Sequence, residues 1–290
     1  MPDLKFYTLD VFTDVRFGGN QLAVLFGAED LKDAQLQQIA REFQLAETVF
    51  LVPAEKEGDW RARIFTPGRE MTFAGHPTIG TALLLAFLGE TAGKDQVLLE
   101  EIAGLVPVKY RWENGQAVYA ELTSPNPPEF REPEATPEQV AQVLGLQQKD
   151  IVTLEGVSCG TPYLLVEVNS RAALQNIQFN LPAWEKHLES KWAANLYVFF
   201  VAPDEIYARM FAPEPGLLED SATGSAAVTL AAHLGKRTTE DLESSWVVHQ
   251  GIEMGRPSRL DITALKLGGK VTETRVGGSA VQVMEGIFRI

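Results

Sequence analysis

The 290-residue chain has a single cysteine, Cys159, so no disulfide can form within it and a reducing, intracellular setting is expected. Basic residues are scarce, with 25 Lys and Arg against 39 Asp and Glu and a net charge of −14. No Lys/Arg cluster offsets that balance locally, which disfavours a phosphate-binding surface, so no nucleic-acid partner is expected. No apolar run approaches ~18 residues, so nothing is expected to span a membrane. Residues 1–10 lack a basic segment followed by an apolar one and do not read as a signal peptide. His76, His187, His233 and His249 show no ligand spacing, and no metal is expected. No phosphate loop or dinucleotide fingerprint opens a helix after a strand, so no nucleotide cofactor is indicated. These absences leave a soluble, cytoplasmic protein working without a cofactor.

What the chain does have is a duplication. Hydrophobic residues make up 45% and charged residues 22%, which is enough for a full core in one large or two ordinary domains. Arg63-Ile64-Phe65-Thr66-Pro67 is followed by Ala74-Gly75-His76-Pro77-Thr78 and an apolar run to Gly89. Half a chain later, Arg209-Met210-Phe211-Ala212-Pro213 is followed by Ala222-Thr223-Gly224-Ser225 and an apolar run to Gly235. Residues 160–166 likewise echo residues 19–25. The spacing predicts two similar lobes related by a pseudo-twofold axis, each with a glycine-led turn opening a buried helix. A helix N-terminus offers N–H groups and partial positive charge, so two of them brought together suit a small carboxylate.

Strands are expected over residues 5–12, 22–26, 48–52, 61–65, 96–100, 106–112, 117–122, 163–168 and 196–201. A helix through Leu36, Ile39, Ala40 and Phe43 has Asp30 or Asp33 as its expected cap. The run 77–88 is apolar on nearly every face and predicts a helix enclosed by its lobe. Five of the sixteen prolines fall between Ser124 and Pro137, marking the crossing between lobes. The next helix starts cleanly, with Thr136 as N-cap, Pro137 at the first position and Gln139 closing a capping box. A surface helix is expected near Trp184–Trp192. The expected lobes are residues 1–118 plus 280–290, and residues 119–279.

One motif match misleads. Gly156-Val157-Ser158-Cys159-Gly160 fits a nucleophile elbow, yet strand-forming residues follow where the elbow needs a helix. Glu47 stands between a helix end and an apolar strand, on the face of Val49 and Leu51. It reads either as a solvated strand-entry carboxylate or as a carboxyl whose apolar surroundings favour its protonated form, ready to exchange protons near neutrality. His76 reads as a satisfied histidine or as a first-turn side chain reaching a cleft. Asp220 and Ser225 flank the matching turn, as an N-cap and a first-turn residue or as polar functional groups.

Together the segments Phe17–Asn20, Ala46–Phe50, Phe65–Pro67 with Ala74–Thr78, Glu219–Ala226, Gly255–Ser258 and Gly277–Gly278 resemble the signature blocks of the PhzF-like (phenazine biosynthesis) isomerases. The resemblance implies an α+β fold of the diaminopimelate-epimerase type, with two lobes that each wrap a β-barrel-like sheet around a central helix. The last strand returns to the first lobe in that fold. Also implied are a homodimer and cofactor-free proton shuttling on a small carboxylate, of the dihydro-hydroxyanthranilate kind. The family's acid/base glutamate maps onto Glu47, its histidine onto His76, and its aspartate and serine onto Asp220 and Ser225. Asn20, Gly75, Thr223 and Gly224 complete the implied binding set. Related racemases and epimerases carry two cysteines at the helix-opening turns, where Ala74 and Thr223 stand here, so one-carboxyl isomerisation is favoured over two-thiol racemisation. A binding protein that has kept the fold is the non-catalytic alternative, against which the retained polar set argues.

Overall fold

A chain built from two similar sequences should pair its strands twice in the same order, and it does. The computed structural model describes residues 3–91, 93–214 and 217–290. The chain falls into two compact units. Met1–Pro125, Arg256–Arg259 and Val276–Ile290 form the first, and Asn126–Gly255 with Leu260–Arg275 form the second. Compared with the bounds expected from sequence, the first unit also takes in residues 119–125, 256–259 and 276–279. The change of unit at Pro125 lies inside the proline-rich stretch.

The first half runs β1 (Leu4–Val11), β2 (Asn20–Phe26), α1 (Asp33–Phe43), β3 (Glu47–Pro53), β4 (Trp60–Phe65), β5 (Glu70–Met71), α2 (Gly75–Phe87), β6 (Gln96–Glu101), β7 (Gly104–Glu113) and β8 (Gln116–Thr123). After β9 (Glu129–Arg131) and α3 (Pro137–Leu144), the second half runs β10 (Ile151–Ser158), β11 (Pro162–Val168), α4 (Arg171–Gln175), α5 (Leu181–His187), β12 (Asn195–Val201) and β13 (Ile206–Glu214). It continues through β14 (Leu217–Asp220), α6 (Gly224–Arg237), β15 (Glu243–Gln250), β16 (Ser258–Leu267), β17 (Lys270–Gly278) and β18 (Ala280–Phe288).

In the first unit β1–β2 is antiparallel, β2–β3 parallel and β3–β4 antiparallel, and β4 pairs antiparallel with β5 and parallel with β6. In the second unit β10–β11 is antiparallel, β11–β12 parallel and β12–β13 antiparallel, and β13 pairs antiparallel with β14 and parallel with β15. Each parallel step needs a crossover, which α1 and then α2 supply in the first unit and α4 with α5 and then α6 supply in the second. The last strand, β18, returns to pair with β1.

The helices α2 and α6 sit inside these wrappings because they have no polar face to turn outward. Every residue of α2 from Gly75 to Leu85 is buried, against strands that include β1, β2, β3, β7, β8 and β18. In α6 the burial runs from Ala226 to Gly235 and stops at Lys236 and Arg237. Outside the first sheet, α1 lays Leu36, Ile39 and Ala40 on Leu25, Phe50 and Phe65. Among the described residues no helix is long and apolar enough to cross a membrane.

Both duplicated arginines do the same work. Arg63 donates twice to Glu70, from Nε and Nη2 at 2.8 Å each, and Arg209 donates twice to Glu219 with the same two distances. Such forked pairs fix orientation as well as charge. Each pins the short strand, β5 or β14, from which the chain enters its buried helix.

One sequence expectation needs correction. The N-cap of α1 is Lys32, not Asp30 or Asp33, because Gln35 reaches back to accept the Lys32 N–H at 3.1 Å. Asp33 is then free to pair with Arg63 at 3.0 Å. The surface helix expected near Trp184 is present but ends at His187, with Leu181, Pro182, Glu185 and Lys186 exposed and Trp184 alone buried in the second core, its Nε1 donating to the Ala194 carbonyl. The capping box of α3 is present as expected, with Thr136 and Gln139 bonded reciprocally.

The buried face of α6 leaves no room for a methyl group at Gly235, where an added Cβ would stand 2.7 Å from the Cβ of Ala264. That neighbour moves only with its strand. Gly235→Ala should therefore destabilise the protein by about 1–3 kcal/mol, overriding the roughly 1 kcal/mol that alanine gains over glycine inside a helix. Urea unfolding of the two proteins measures the difference, and a variant more stable than wild type would refute the close packing.

Candidate functional site

The residues singled out from sequence gather in two clusters, one in each unit, both at the start of the buried helix. In the first unit Glu47 is the opening residue of β3, His76 the second residue of α2 and Asn20 the opening residue of β2. His76 lies between the other two. Its Nδ1 is 3.3 Å from the Asn20 amide nitrogen and its Nε2 is 3.4 Å from Glu47 Oε2. An amide NH2 can only donate, so Nδ1 accepts in that pairing, while Nε2 and the Glu47 carboxyl stand close without forming a hydrogen bond.

His76 is 3% exposed. Burial pushes its pKa down to about 3, offset only in part by a hydrogen bond with the Gln21 backbone. The imidazole is therefore uncharged at neutral pH and presents no positive charge to Glu47.

The helix behind it is not capped by a side chain. Ala74 is the N-cap of α2 and Gly75 its first residue. Pro77 in that turn has no N–H to satisfy. Thr78 donates to the Ala74 carbonyl or to Glu101, with oxygens at 2.6 and 2.5 Å. Burial raises the Glu101 pKa to about 8, against hydrogen bonds from Thr78 and the Ala74 backbone that lower it.

In the second unit Asp220 ends β14, Thr223 is the N-cap of α6, Gly224 its first residue and Ser225 its second. Thr223 Oγ1 donates to Asp220 Oδ2 at 2.6 Å. Ser225 Oγ shares a 2.7 Å hydrogen bond with the Tyr163 hydroxyl. Beneath them Gln250, fully buried, ties the turn together. Its amide nitrogen donates to the Asp220 carbonyl (2.8 Å) and Thr223 Oγ1 (3.0 Å), and its oxygen accepts from the Tyr197 hydroxyl (3.0 Å) and the Thr223 N–H (3.3 Å).

The register shows where the repeats have diverged. Glu47 pairs with Leu22 across the parallel β2–β3 step, and Asn195 pairs with Tyr163 across the matching β11–β12 step. The position that holds a carboxyl in one repeat holds an amide in the other. His76 is matched by Ser225 in the same way.

Sequence reading did not find Gln250, Tyr163, Tyr197, Thr78 or Glu101. A signal existed for Glu101, since Val97, Leu99 and Glu101 share one buried face of β6. Gln250 follows Val248 on a buried face in the same manner. Cys159 lies outside both turns and is buried, with Val228 and Thr274 against its sulfur.

The fold and the clusters define an α+β isomerase architecture in which polar side chains collect at the mouths of two enclosed helices. A family model described as phenazine biosynthesis-like protein matches residues 9–286. The chain is 37% identical over 300 residues to a protein of Mesorhizobium japonicum named an uncharacterized isomerase, covering 99% of each. It is 34% identical over 282 residues to the trans-2,3-dihydro-3-hydroxyanthranilate isomerase of Pseudomonas aeruginosa, covering 97% of this chain and 98% of that protein. The crystal structure of a phenazine biosynthesis protein of the PhzF family from Bacillus anthracis superposes with a TM-score of 0.91 at 25% identity, covering 100% of both chains. The chain belongs to the phenazine biosynthesis-like family, and like these relatives it is an isomerase.

Burial pushes the Cys159 thiol up to about 11, so almost no thiolate exists at neutral pH. Iodoacetamide at pH 7.5 should leave the native chain unmodified and label it fully in denaturant, as read by intact mass. Rapid labelling of the folded protein would show an accessible, reactive thiol.

Proposed function

We propose that this isomerase moves a proton between two carbons of a small, unsaturated carboxylate, with Glu47 as its general acid and base. The observation that carries the reading is Glu47 beside a buried, uncharged His76, with Asn195 at the matching position of the other repeat. One carboxyl, rather than an opposed pair of bases, suits removal and return of a proton on one face of the substrate. The Glu47 carboxylate takes the proton from one carbon, and the electron pair shifts along the unsaturated frame. The resulting carboxylic acid then delivers the proton to the carbon at the far end. Neutral His76 stands beside it without the charge that would hold a neighbouring carboxyl ionised.

In this reading the N–H groups at Gly75 and at Gly224 are carboxylate-binding groups, and Asn20, Asp220, Thr223 and Ser225 are partners for polar groups of a substrate. Two-base racemisation lacks its reagents, since Ala74 and Thr223 cannot exchange a proton and Cys159 is buried elsewhere. The Pseudomonas aeruginosa relative is named for trans-2,3-dihydro-3-hydroxyanthranilate, which makes a cyclic unsaturated amino acid of that kind the first substrate to test. We further propose a cytoplasmic homodimer needing no cofactor, in keeping with the unpaired cysteine and the family's pattern.

Glu47→Gln keeps the shape but cannot carry a proton. Turnover of the dihydro-hydroxyanthranilate should fall by a factor of roughly 10² to 10⁴ or more, with substrate binding retained. Wild-type turnover in deuterated water should place deuterium in the product wherever the carboxyl exchanges before delivery. Near-normal turnover by the variant, measured on a substrate the wild type converts, would remove Glu47 from the chemistry.

A further inference from the structure

We propose that Glu101 is a positioning residue, held as a protonated acid behind the first turn of α2 so that the helix mouth stays open to an anion. This rests on the reading above in one respect only, that the mouth of α2 takes a carboxylate.

Thr78 Oγ1 lies 2.6 Å from the Ala74 carbonyl and 2.5 Å from Glu101 Oε1. A hydroxyl carries one hydrogen, whereas a carbonyl and an ionised carboxylate only accept. Both contacts are satisfied together when Glu101 carries a proton and donates to Thr78, which in turn donates to Ala74. The chain of bonds then runs from the acid to the residue just before Gly75 and His76. The turn after β6 is tied to the same segment, because the Ala103 N–H donates to the Thr72 carbonyl at 2.9 Å.

The neighbouring charges do not favour ionisation. A groove of about 220 Å³ beside Glu101 is lined by Glu55, Lys56, Arg61 and Glu100. Arg61 pairs with Glu55, and Glu100 collects the backbone N–H groups of Glu55, Lys56 and Gly58. On β5 Glu70 is taken by Arg63, and on α2 His76 is uncharged. Burial thus decides, and it raises the Glu101 pKa to about 8. The groove gives water a route to the acid, so it can titrate without unfolding.

The consequence is electrostatic. An anion at a helix N-terminus offsets the partial positive charge there. A neutral Glu101 leaves that charge for a bound carboxylate, and an ionised one competes with it. Ionisation also turns the Thr78 hydrogen towards Glu101 and away from Ala74. Folding gains a proton at this site, so the stability it contributes is full below about 4.5 and is lost as pH rises to about 8.

The test follows the Gly75 and His76 backbone amides and the Glu101 carboxyl carbon by NMR in the full chain from pH 4 to pH 10. In the wild type the carboxyl carbon and both amides should step together near pH 8. In Glu101→Gln, the isostere of the protonated acid, the amide step should vanish. In Thr78→Val the carboxyl step should persist while the amide response shrinks. With anthranilate as probe, wild-type affinity should drop by an extra factor of roughly two to five between pH 7 and pH 9 relative to Glu101→Gln. A carboxyl carbon that titrates near 4.5, or an amide step unchanged in both variants, overturns the proposal. Should the amide steps appear as described while no isomerisation is found, the role of Glu101 stands and the proposed reaction falls.

Discussion

A buried helix cannot leave the N–H groups of its first turn without partners, and each repeat of this chain buries the start of a helix. Neither N-cap residue, Ala74 or Thr223, supplies the usual side-chain bond. The rest of each unit is arranged around that shortfall. Forked arginine–glutamate pairs pin the entering strands, and Pro77 removes one donor from the turn of α2. A second layer holds the turns themselves: Glu101 and Thr78 under α2, Gln250 and Tyr197 under α6. In both units the candidate polar side chains stand at a helix start that lacks a side-chain cap.

Function comes from the way two copies of one plan have drifted apart. Their strand pairings coincide step for step, so the differences stand out at matched positions. Glu47 answers to Asn195, His76 to Ser225, and Leu22 to Tyr163. One copy kept a group that can carry a proton beside a neutral imidazole. The other kept groups that hydrogen-bond without exchanging protons at neutral pH, apart from Asp220, which is occupied by Thr223.

Much of the fold was legible because its signals are local. The apolar runs after Gly75 and Gly224, the capping box at Thr136 and the proline-rich stretch before it each carry their physics within a few residues. The candidate site was legible only where it coincides with the duplication, which marks Gly75, His76, Gly224 and Ser225, or with the family resemblance, which supplies the rest. Gln250 and Glu101 were missed because what makes them matter is a partner brought by the fold from 27 or 23 residues away. Their one local trace is a polar residue on the buried face of a strand, which many satisfied core residues share. The cap of α1 was misplaced for a different, local reason, since Gln35 reaches back to the Lys32 N–H and leaves Asp33 to pair with Arg63 of β4.

The protein carries a net charge of −14, and the reading above asks it to bind an anion. A cationic side chain at the site would ease binding, yet it would also stabilise the ionised form of a nearby acid and base and slow its return of the proton. Helix termini avoid that conflict. Their partial charge is fixed, points along the helix axis and fades within a turn, so it can attract a carboxylate while leaving the proton carrier undisturbed a few ångströms away. Uncharged His76 fits the same economy, as does a protonated Glu101. Neutral polar groups around bare helix mouths let one site hold an anion and still cycle a proton.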